Sequence, residues 1–202
     1  MFTGIVEDTG TVRERTETEG GIRLRIAVDG FDDLHHGQSI SVSGVCLTVE
    51  AYGAEGDASD GDWFEVFLAS ETVEKTYLGE VAEGDPVNVE RAMPADGRFD
   101  GHVVQGHVDT VAEVTAIERV GEDWRFTFSI PEGHGDYLVD KGSVTLDGIS
   151  LTVAEKREEE FDVAIIPTTY DLTTLSAKSV GDPIHLEVDV IAKYVENMVD
   201  GY

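Results

Sequence analysis

The sequence has few basic residues and no long apolar run. Its 202 residues include 14 Lys and Arg against 42 Asp and Glu, a formal net charge of −28. A field of that sign repels nucleic acid and anionic membranes, so neither is expected as a partner. No apolar stretch approaches the ~18 residues that a membrane-spanning helix needs, and the first residues lack the features of a signal peptide. The expected location is the cytoplasm.

Cysteine is almost absent, and the common catalytic motifs are missing. Cys46 is the only cysteine, which excludes an intramolecular disulfide and a Cys-rich metal site. The sequence has no phosphate-binding Gly-Lys-Ser/Thr loop, no nucleophile elbow and no His-Glu-x-x-His. Nucleotide hydrolases, common serine hydrolases and zinc proteases of these types are therefore not expected.

The acidic surface points to a particular environment. A hydrophobic fraction of 41% is enough for a folded core, so the acidity is not that of a disordered chain. Repulsion between acidic groups is tolerable where salt screens it, since the Debye length falls to about 3 Å near 1 M. The composition predicts a salt-adapted organism with a saline cytoplasm.

One stretch of the chain occurs twice. Ser39–Val49 returns as Ser143–Val153 at an offset of 104 residues, with Ser, Gly, Leu, Thr and Val in the same places. Each copy predicts a strand, a glycine-centred kink and a second strand, because glycine adopts backbone geometry closed to other residues. Two copies in half-chains of similar length indicate a duplicated domain.

Other segments repeat in the same order. Further strands are predicted at 2–12, 22–28, 63–68 and 84–90, with counterparts at 106–114, 124–130, 161–166 and 181–187. Helical turns are predicted at 31–36 and 133–139, and an acidic hairpin loop at 53–62. The pattern predicts two all-β domains of about six strands, each a barrel or a sandwich. Pro94, Gly97 and Gly101 mark the joint near 92–102.

The C-terminal segment changes to helical periodicity. Five apolar residues of 190–199 fall on one face of a predicted helix that has no copy in the first half. Self-association and packing on its own domain are equally compatible with this pattern. The apolar residues are Val190, Ile191, Tyr194, Val195 and Met198.

A few polar residues are candidates for chemistry. His102 lies in the joint, where a ligand-binding or catalytic role and a structural role are both open, whereas His107 is predicted to be structural within a strand. A metal would need further ligands, so none is expected. Cys46 could be a nucleophile, but no activating base stands near it in the sequence. Its counterpart Ser150 is also small and polar, which suits hydrogen bonding to a planar polar ligand.

Several motifs together resemble one family. The sequence is similar to the riboflavin synthases of the alpha-chain type over essentially its whole length and in the same order. The matching stretches are Met1–Glu7, Gly44–Val49, Gly84–Ala92, Gly101–Asp109, Lys141–Val153, Ile166–Pro167, Thr173–Leu175 and Asp189–Tyr194.

The resemblance implies a fold and a reaction. It implies two pseudo-symmetric, six-stranded, Greek-key-like β-barrels at 1–95 and 96–188, and a trimerisation helix at 189–202. Two molecules of 6,7-dimethyl-8-ribityllumazine would give riboflavin and 5-amino-6-ribitylaminouracil, without cofactor or metal. Each barrel would bind one lumazine, and the pair would react where barrels of neighbouring subunits face each other in a homotrimer.

The resemblance also implies site residues. Substrate contacts in the first barrel would come from Gly4, Ile5, Val6, Cys46, Leu47, Thr48, Ser70, Glu71 and Thr72. Those in the second would come from Gly101, His102, Val103, Lys141, Ser150, Leu151, Thr152, Ile166, Pro167, Thr168 and Thr169. The proposed catalytic groups of the family fall on Ser39, Cys46, His102, Ser150, Thr152 and Asp189.

The sequence departs from the family pattern at two positions, and two functions other than this enzyme are weighed against it. Ser43 stands where many members have Asn, and Thr168 where members often have His or an acid; altered hydrogen bonding is expected at both. A non-catalytic lumazine- or flavin-binding protein is the main alternative, but such proteins let one barrel drift. A protein-binding scaffold would not require matched polar positions in both halves.

Overall fold

The computed structural model describes residues 1–53 and 62–200, except the side chain of Asp200. Within them the chain forms two closed, six-stranded antiparallel barrels and a C-terminal helix, which confirms the predicted fold class. The predicted acidic loop at 53–62 lies almost entirely outside the described residues. None of the described helices is long and apolar enough to cross a membrane.

The first barrel is built from the first half of the chain. Its strands close in the order β1-β2-β5-β4-β3-β6, and the short helix α1 (Ser70–Lys75) and a 3-10 turn (Tyr77–Gly79) follow β5. The strands are β1 (Asp8–Thr18), β2 (Gly21–Ala27), β3 (Ser39–Val42), β4 (Val45–Gly53), β5 (Trp63–Ala69) and β6 (Pro86–Arg91).

The second barrel repeats this order as β7-β8-β11-β10-β9-β12. Helix α2 (Pro167–Leu172) and a 3-10 turn (Thr174–Ala177) follow β11, and helix α3 (Val190–Asp200) follows β12. The strands are β7 (Thr110–Val120), β8 (Asp123–Ser129), β9 (Ser143–Leu146), β10 (Ile149–Lys156), β11 (Glu160–Ile165) and β12 (Pro183–Val188).

Alternating residues explain why these segments are barrel strands. In β2, Ile22, Leu24 and Ile26 are buried in the barrel, while Arg23 and Arg25 are half-buried and pair with glutamates outside it. A strand places successive side chains on opposite faces, so this pattern gives one dry and one wet face. Each barrel has its own apolar core.

The repeated stretch is a β-hairpin with a two-residue turn. Ser43 and Gly44 have φ angles of 44° and 85°, and Asp147 and Gly148 have 46° and 81°. Positive φ at both central residues is the signature of the type I′ turn, which matches the twist of the paired strands. The two turns also meet, because a Cβ added to Gly44 would lie 2.7 Å from the amide nitrogen of Gly148.

The two barrels exchange short segments. Residues 2–6 leave the first barrel and 104–108 leave the second, and Phe2 pairs with Val104 where they pass each other. Val6 packs against the core of the second barrel and Val108 against the core of the first. We call residues 2–6 and 104–108 the crossing segments.

This exchange corrects two strand boundaries. Strand β1 begins at Asp8 rather than Phe2, and β7 begins at Thr110 rather than Gly106, because the crossing segments bond across the barrel interface. His107 was therefore wrongly predicted within a strand. A 3-10 turn at Gly135–Tyr137 confirms the predicted helical turn at 133–139, whereas 31–36 forms non-helical turns.

Candidate functional site

A groove opens on the first barrel beside the incoming crossing segment. Its volume is about 290 Å³. Cys46 on β4 is half-buried in its wall, and the N–H of Cys46 donates to the carbonyl of Gly106 at 2.7 Å. The lining residues are Val45, Cys46, Ala69, Glu71, Thr72, Lys75, Thr76, Gly106, His107 and Val108.

The residues predicted for this barrel lie partly in the groove and partly outside it. Glu71 and Thr72 line the groove, and the Glu71 carboxylate bonds the Lys75 ammonium at 2.7 Å. Leu47 is buried among the apolar side chains of the barrel. Thr48 is exposed on β4 opposite Ser39, and the Ser70 hydroxyl donates to the carbonyl of Gly20 at 2.9 Å.

Sequence reasoning missed the contribution of the second crossing segment to this groove. Gly106, His107 and Val108 line it, although none was assigned to the first barrel. The signal was present, since these residues follow Gly4, Ile5 and Val6 at an offset of 102. The repeat alone does not say that each segment crosses to the other barrel.

The equivalent position on the second barrel is Ser150, and Gly4 lies against it. The N–H of Ser150 donates to the carbonyl of Gly4 at 2.7 Å. A Cβ on Gly4 would lie 2.6 Å from the Ser150 Cβ. The assignment of Gly4, Ile5 and Val6 to the first barrel is therefore wrong, because the crossing carries them to the second.

His102 connects Ser150 to a buried threonine. His102 Nδ1 lies 2.7 Å from Ser150 Oγ, and Nε2 lies 3.1 Å from the hydroxyl of Thr145 on β9. The N–H of His102 donates to the carbonyl of Thr3 at 3.1 Å, which ties the imidazole to the crossing segment. Thr145 is 1% exposed and was not predicted as a site residue.

The surroundings keep His102 neutral. Burial lowers the pKa of His102 below its ordinary value of 6.5, and the negative charge of Asp189 opposes this only in part. Asp189 precedes α3, and its carboxylate accepts from the N–H of Ile191 at 2.9 Å. A neutral imidazole has one donor nitrogen and one acceptor nitrogen.

The remaining predicted residues of the second barrel take different positions. Gly101 packs tightly here, since an added Cβ would lie 2.1 Å from the carbonyl oxygen of Thr3. Val103 is half-buried in the joint, Leu151 is buried and Thr152 is exposed on β10. Lys141 donates to the carbonyl of Ala154 at 3.1 Å. Ile166, Pro167, Thr168 and Thr169 form the start of α2.

The predicted catalytic residues do not form one cluster within this chain. His102 and Ser150 are in direct contact, and Asp189 acts on His102 by its charge. Cys46 lies in the groove of the other barrel, and Ser39 lies at the start of β3. Across residues 1–53 and 62–200, no three His, Cys, Asp or Glu side chains are placed to hold a metal ion.

Two buried glutamates hold the crossing segments. The Glu90 carboxylate accepts from the N–H groups of Thr3 and Gly4 at 2.7 and 3.1 Å. The Glu187 carboxylate accepts from those of Gln105 and His107 at 2.7 and 2.8 Å. Burial raises the pKa of both carboxyls above the ordinary value, and these N–H donors oppose the rise.

Two barrels of one topology, each receiving a segment of the other beside a small polar residue, define a duplicated small-molecule-binding protein. The family model described as "Lumazine binding domain" matches residues 3–92 and 105–189, one copy per barrel.

The chain is also similar to proteins from several organisms. A riboflavin synthase of Mycobacterium tuberculosis is 44% identical over 205 residues, covering 98% of each chain. One from Schizosaccharomyces pombe is 40% identical over 205 residues, covering 100% of this chain and 95% of the other. The chain belongs to the riboflavin synthase family of lumazine-binding-domain proteins.

A solved structure shares the fold. The crystal structure of LumP complexed with riboflavin superposes with a TM-score of 0.83 at 20% identity, covering 93% of this chain and 99% of LumP. At that identity the likeness concerns the architecture alone.

Proposed function

We propose that this protein is an enzyme that converts two molecules of 6,7-dimethyl-8-ribityllumazine into riboflavin and 5-amino-6-ribitylaminouracil. The observation that carries the proposal is the pair of equivalent positions at Cys46 and Ser150, each beside the crossing segment from the other barrel. A reaction between two copies of one substrate needs two related sites, and both halves of this chain keep one.

The reaction moves four carbon atoms from one lumazine to the other. The C7 methyl of one lumazine is acidic because its carbanion delocalises into the ring, so a modest base suffices to remove the proton. The two products together contain the atoms of the two substrates, and the balance needs no added oxidant or reductant. The proposal therefore includes no cofactor and no metal.

His102 and Ser150 are assigned to the lumazine bound at the second barrel. They serve it either by taking up the methyl proton or by hydrogen bonding to the ring anion that its loss leaves. The acceptor lumazine must gain a nucleophile at C7, from Cys46, a serine hydroxyl or water. Ser39, Thr152 and Asp189 complete the proposed catalytic set.

Substrate binding is assigned to two sites, one beside Cys46 on the first barrel and one beside Ser150 on the second. The proposal keeps Cys46, Leu47, Thr48, Ser70, Glu71 and Thr72 for the first barrel, now with the second crossing segment. The second barrel gains Gly4, Ile5 and Val6. Its other proposed contacts are Gly101, His102, Val103, Lys141, Ser150, Leu151, Thr152, Ile166, Pro167, Thr168 and Thr169.

The proposed assembly is a homotrimer formed through α3. Lys193 Nζ bonds Asp109 at 2.6 Å, and Glu196 accepts from the hydroxyl of Tyr137, so one face of α3 is tied to its own barrel. The apolar face is turned away from it, since Ile191 and Tyr194 are 60% and 65% exposed. Such a face is stabilised when a second copy covers it.

Two variants of α3 test the assembly. Ile191→Glu together with Val195→Glu should give monomers in light scattering and lose most activity, because the two reacting lumazines would sit on different subunits. Asn197→Glu adds charge on another exposed face and should leave both unchanged. A fully active monomer would refute the inter-subunit site.

The environment remains part of the proposal. The single cysteine suits the reducing cytoplasm, and the charge of −28 suits a saline one. A non-catalytic carrier of lumazine or flavin is the alternative function, and LumP shares only the architecture with this chain.

One experiment separates the functions. Purified protein is incubated with 6,7-dimethyl-8-ribityllumazine in high salt, and riboflavin fluorescence is followed. The enzyme should form one riboflavin for every two lumazines consumed. Binding without turnover would favour the carrier, and no binding would favour a scaffold.

A further inference from the structure

We propose that Thr145 is a positioning residue that fixes His102 as the tautomer protonated at Nδ1, so that Ser150 donates its hydroxyl proton to a ligand beside it. The three side chains then donate in series toward the ligand, and His102 does not act as a base toward it. The tautomer follows from geometry alone, and only its catalytic consequence rests on the proposed function.

The direction of donation through the three side chains follows from the buried threonine. Thr145 is 1% exposed, and among the residues that the structure describes its hydroxyl has His102 Nε2 as its hydrogen-bond partner, at 3.1 Å. A buried hydroxyl that does not donate its proton leaves it unsatisfied, which costs free energy. The Thr145 proton therefore points at Nε2, which must be the unprotonated nitrogen.

The ring proton is then on Nδ1. Because the neutral imidazole carries one proton, Nδ1–H donates to Ser150 Oγ at 2.7 Å. Ser150 Oγ thus accepts from His102, and its own proton is free for an acceptor on a bound ligand. Hydrogen bonds arranged in series polarise one another, so Ser150 becomes a stronger donor than an isolated serine.

The ligand group that these three hydrogen-bonded side chains recognise is an anion or a polar acceptor. Loss of the C7 methyl proton spreads negative charge over the lumazine ring, and a fixed donor stabilises charge that develops in a reaction. A ring protonated at Nδ1 cannot take the Ser150 proton, so Ser150 does not become an alkoxide nucleophile through His102. The structure thereby favours donation to the ring anion over the base role.

Among the residues that the structure describes, no histidine ring bonds Ser41 or the Cys46 thiol at the equivalent position of the first barrel. The counterpart of Thr145 is Ser41 and that of Ser150 is Cys46, which bonds Gly106 through its backbone. A thiol is also a weaker donor than a hydroxyl. The second barrel is therefore the better site for the lumazine that becomes an anion.

Nitrogen-15 NMR of the ligand-free protein at neutral pH tests the tautomer without any turnover. The chain has 6 histidines, and His102→Gln identifies the signal of His102. The expected pattern is a protonated Nδ1 and a pyridine-like Nε2. A protonated Nε2 in the wild-type protein would overturn the proposal, whatever the activity.

Two variants of Thr145 test its part. Thr145→Val removes the donor at similar volume, so the Nδ1–H form should lose population and kcat should fall about tenfold. Thr145→Ser keeps a hydroxyl and should restore both readings. An unchanged tautomer in a folded valine variant would overturn the assignment. If the valine variant does not fold, the wild-type spectrum and the serine variant still decide.

Discussion

Two glycines show how closely the barrels depend on single residues. Gly4 and Gly106 have φ angles of 76° and 77°, a region that costs other residues about 1–3 kcal/mol. Added Cβ atoms would lie 2.6 and 2.7 Å from the Cβ atoms of Ser150 and Cys46, respectively. Each glycine thus allows a crossing segment to reach the polar residue of the opposite barrel.

Alanine at Gly4 should impair ligand binding at the second barrel more than it destabilises the fold. Gly4→Ala combines a strained φ with a contact against Ser150, so lumazine binding should fall from two molecules per chain to about one. Calorimetric titration measures this stoichiometry. Gly20→Ala is the matched control, because Gly20 has a φ of 95° but no atom within 4 Å of an added Cβ. If both variants bind alike, the contact does not shape the binding site of the second barrel.

The residue scale also shows what a sequence can predict. The family resemblance assigned His102 and Ser150 to the second barrel, but only the structure shows that their side chains are in contact. Thr145 gave no signal, because a threonine in a strand is ordinary until the fold brings an imidazole to its hydroxyl. The barrel assigned to Gly4 was wrong because crossing is a tertiary event that a repeat does not encode.

At the scale of elements, buried carboxylates hold the crossing segments in addition to the backbone pairing between them. Glu90 accepts three hydrogen bonds, from the N–H and hydroxyl of Thr3 and from the N–H of Gly4. Glu187 accepts two hydrogen bonds from its segment, from the N–H groups of Gln105 and His107. Each glutamate therefore belongs to one barrel but holds the segment that packs on the other.

Amide substitutions should separate the binding sites of the two barrels. Glu90→Gln replaces one acceptor oxygen by an NH₂ group that faces a backbone N–H, so unfolding should cost about 1–3 kcal/mol less. Lumazine binding should weaken at the second barrel for Glu90→Gln and at the first for Glu187→Gln. Protein NMR shifts near Cys46 and near Ser150 report which site weakens. The exposed Glu83→Gln is the control, and a loss confined to the glutamate's own barrel would contradict the crossing.

The spacing of apolar residues in the sequence predicted which strands and helices form better than it predicted where they begin and end. Strand β2 was predicted within one residue at each end because its apolar residues alternate without interruption. Helix α3 was predicted from its periodicity, but only the structure shows that its apolar face points away from its own barrel. The start of β1 was missed because residues 5–12 alternate whether or not they pair within one sheet.

At the scale of the whole molecule, Asn88 and His185 join the barrels as equivalent residues. The Asn88 side-chain amide donates to the carbonyl of Asp147 at 2.9 Å and accepts from the N–H of Thr174 at 2.8 Å. His185 Nδ1 lies 2.7 Å from the carbonyl of Ser43, and Nε2 accepts from the N–H of Tyr77 at 3.0 Å. This fixes His185 as neutral with its proton on Nδ1.

His185 should make the fold sensitive to acid. Burial lowers the pKa of His185, with the charge of Lys178 adding to this and that of Asp147 opposing it. When the pH falls below 6.5, the ordinary pKa of histidine, His185 takes up a proton in the unfolded chain but not in the folded one. Stability should therefore fall as pH falls, by at most about 1.4 kcal/mol for each pH unit.

Asparagine at this position tests the effect, because Asn88 already makes the equivalent bonds. Urea unfolding should show that the free energy of unfolding falls less between about pH 8 and about pH 5.5 for His185→Asn than for wild type. His102 contributes with the same sign, and the raised pKa values of Glu90 and Glu187 with the opposite sign, equally in both proteins. Parallel curves would show that His185 is not the titrating group.

The net charge predicts that salt stabilises the protein. Even if each of the 14 basic residues neutralised one acid, 42 − 14 = 28 acidic groups would remain. Their repulsion is screened as the Debye length shrinks from about 30 Å at 0.01 M to about 3 Å at 1 M. The melting temperature should therefore rise by several degrees between low and molar KCl, since about 1 kcal/mol corresponds to 2–4 °C at this size. Sucrose at equal osmolality, which leaves charges unscreened, should raise it less. A melting temperature that stays flat or falls with KCl would show that the acidic surface is not an adaptation to salt.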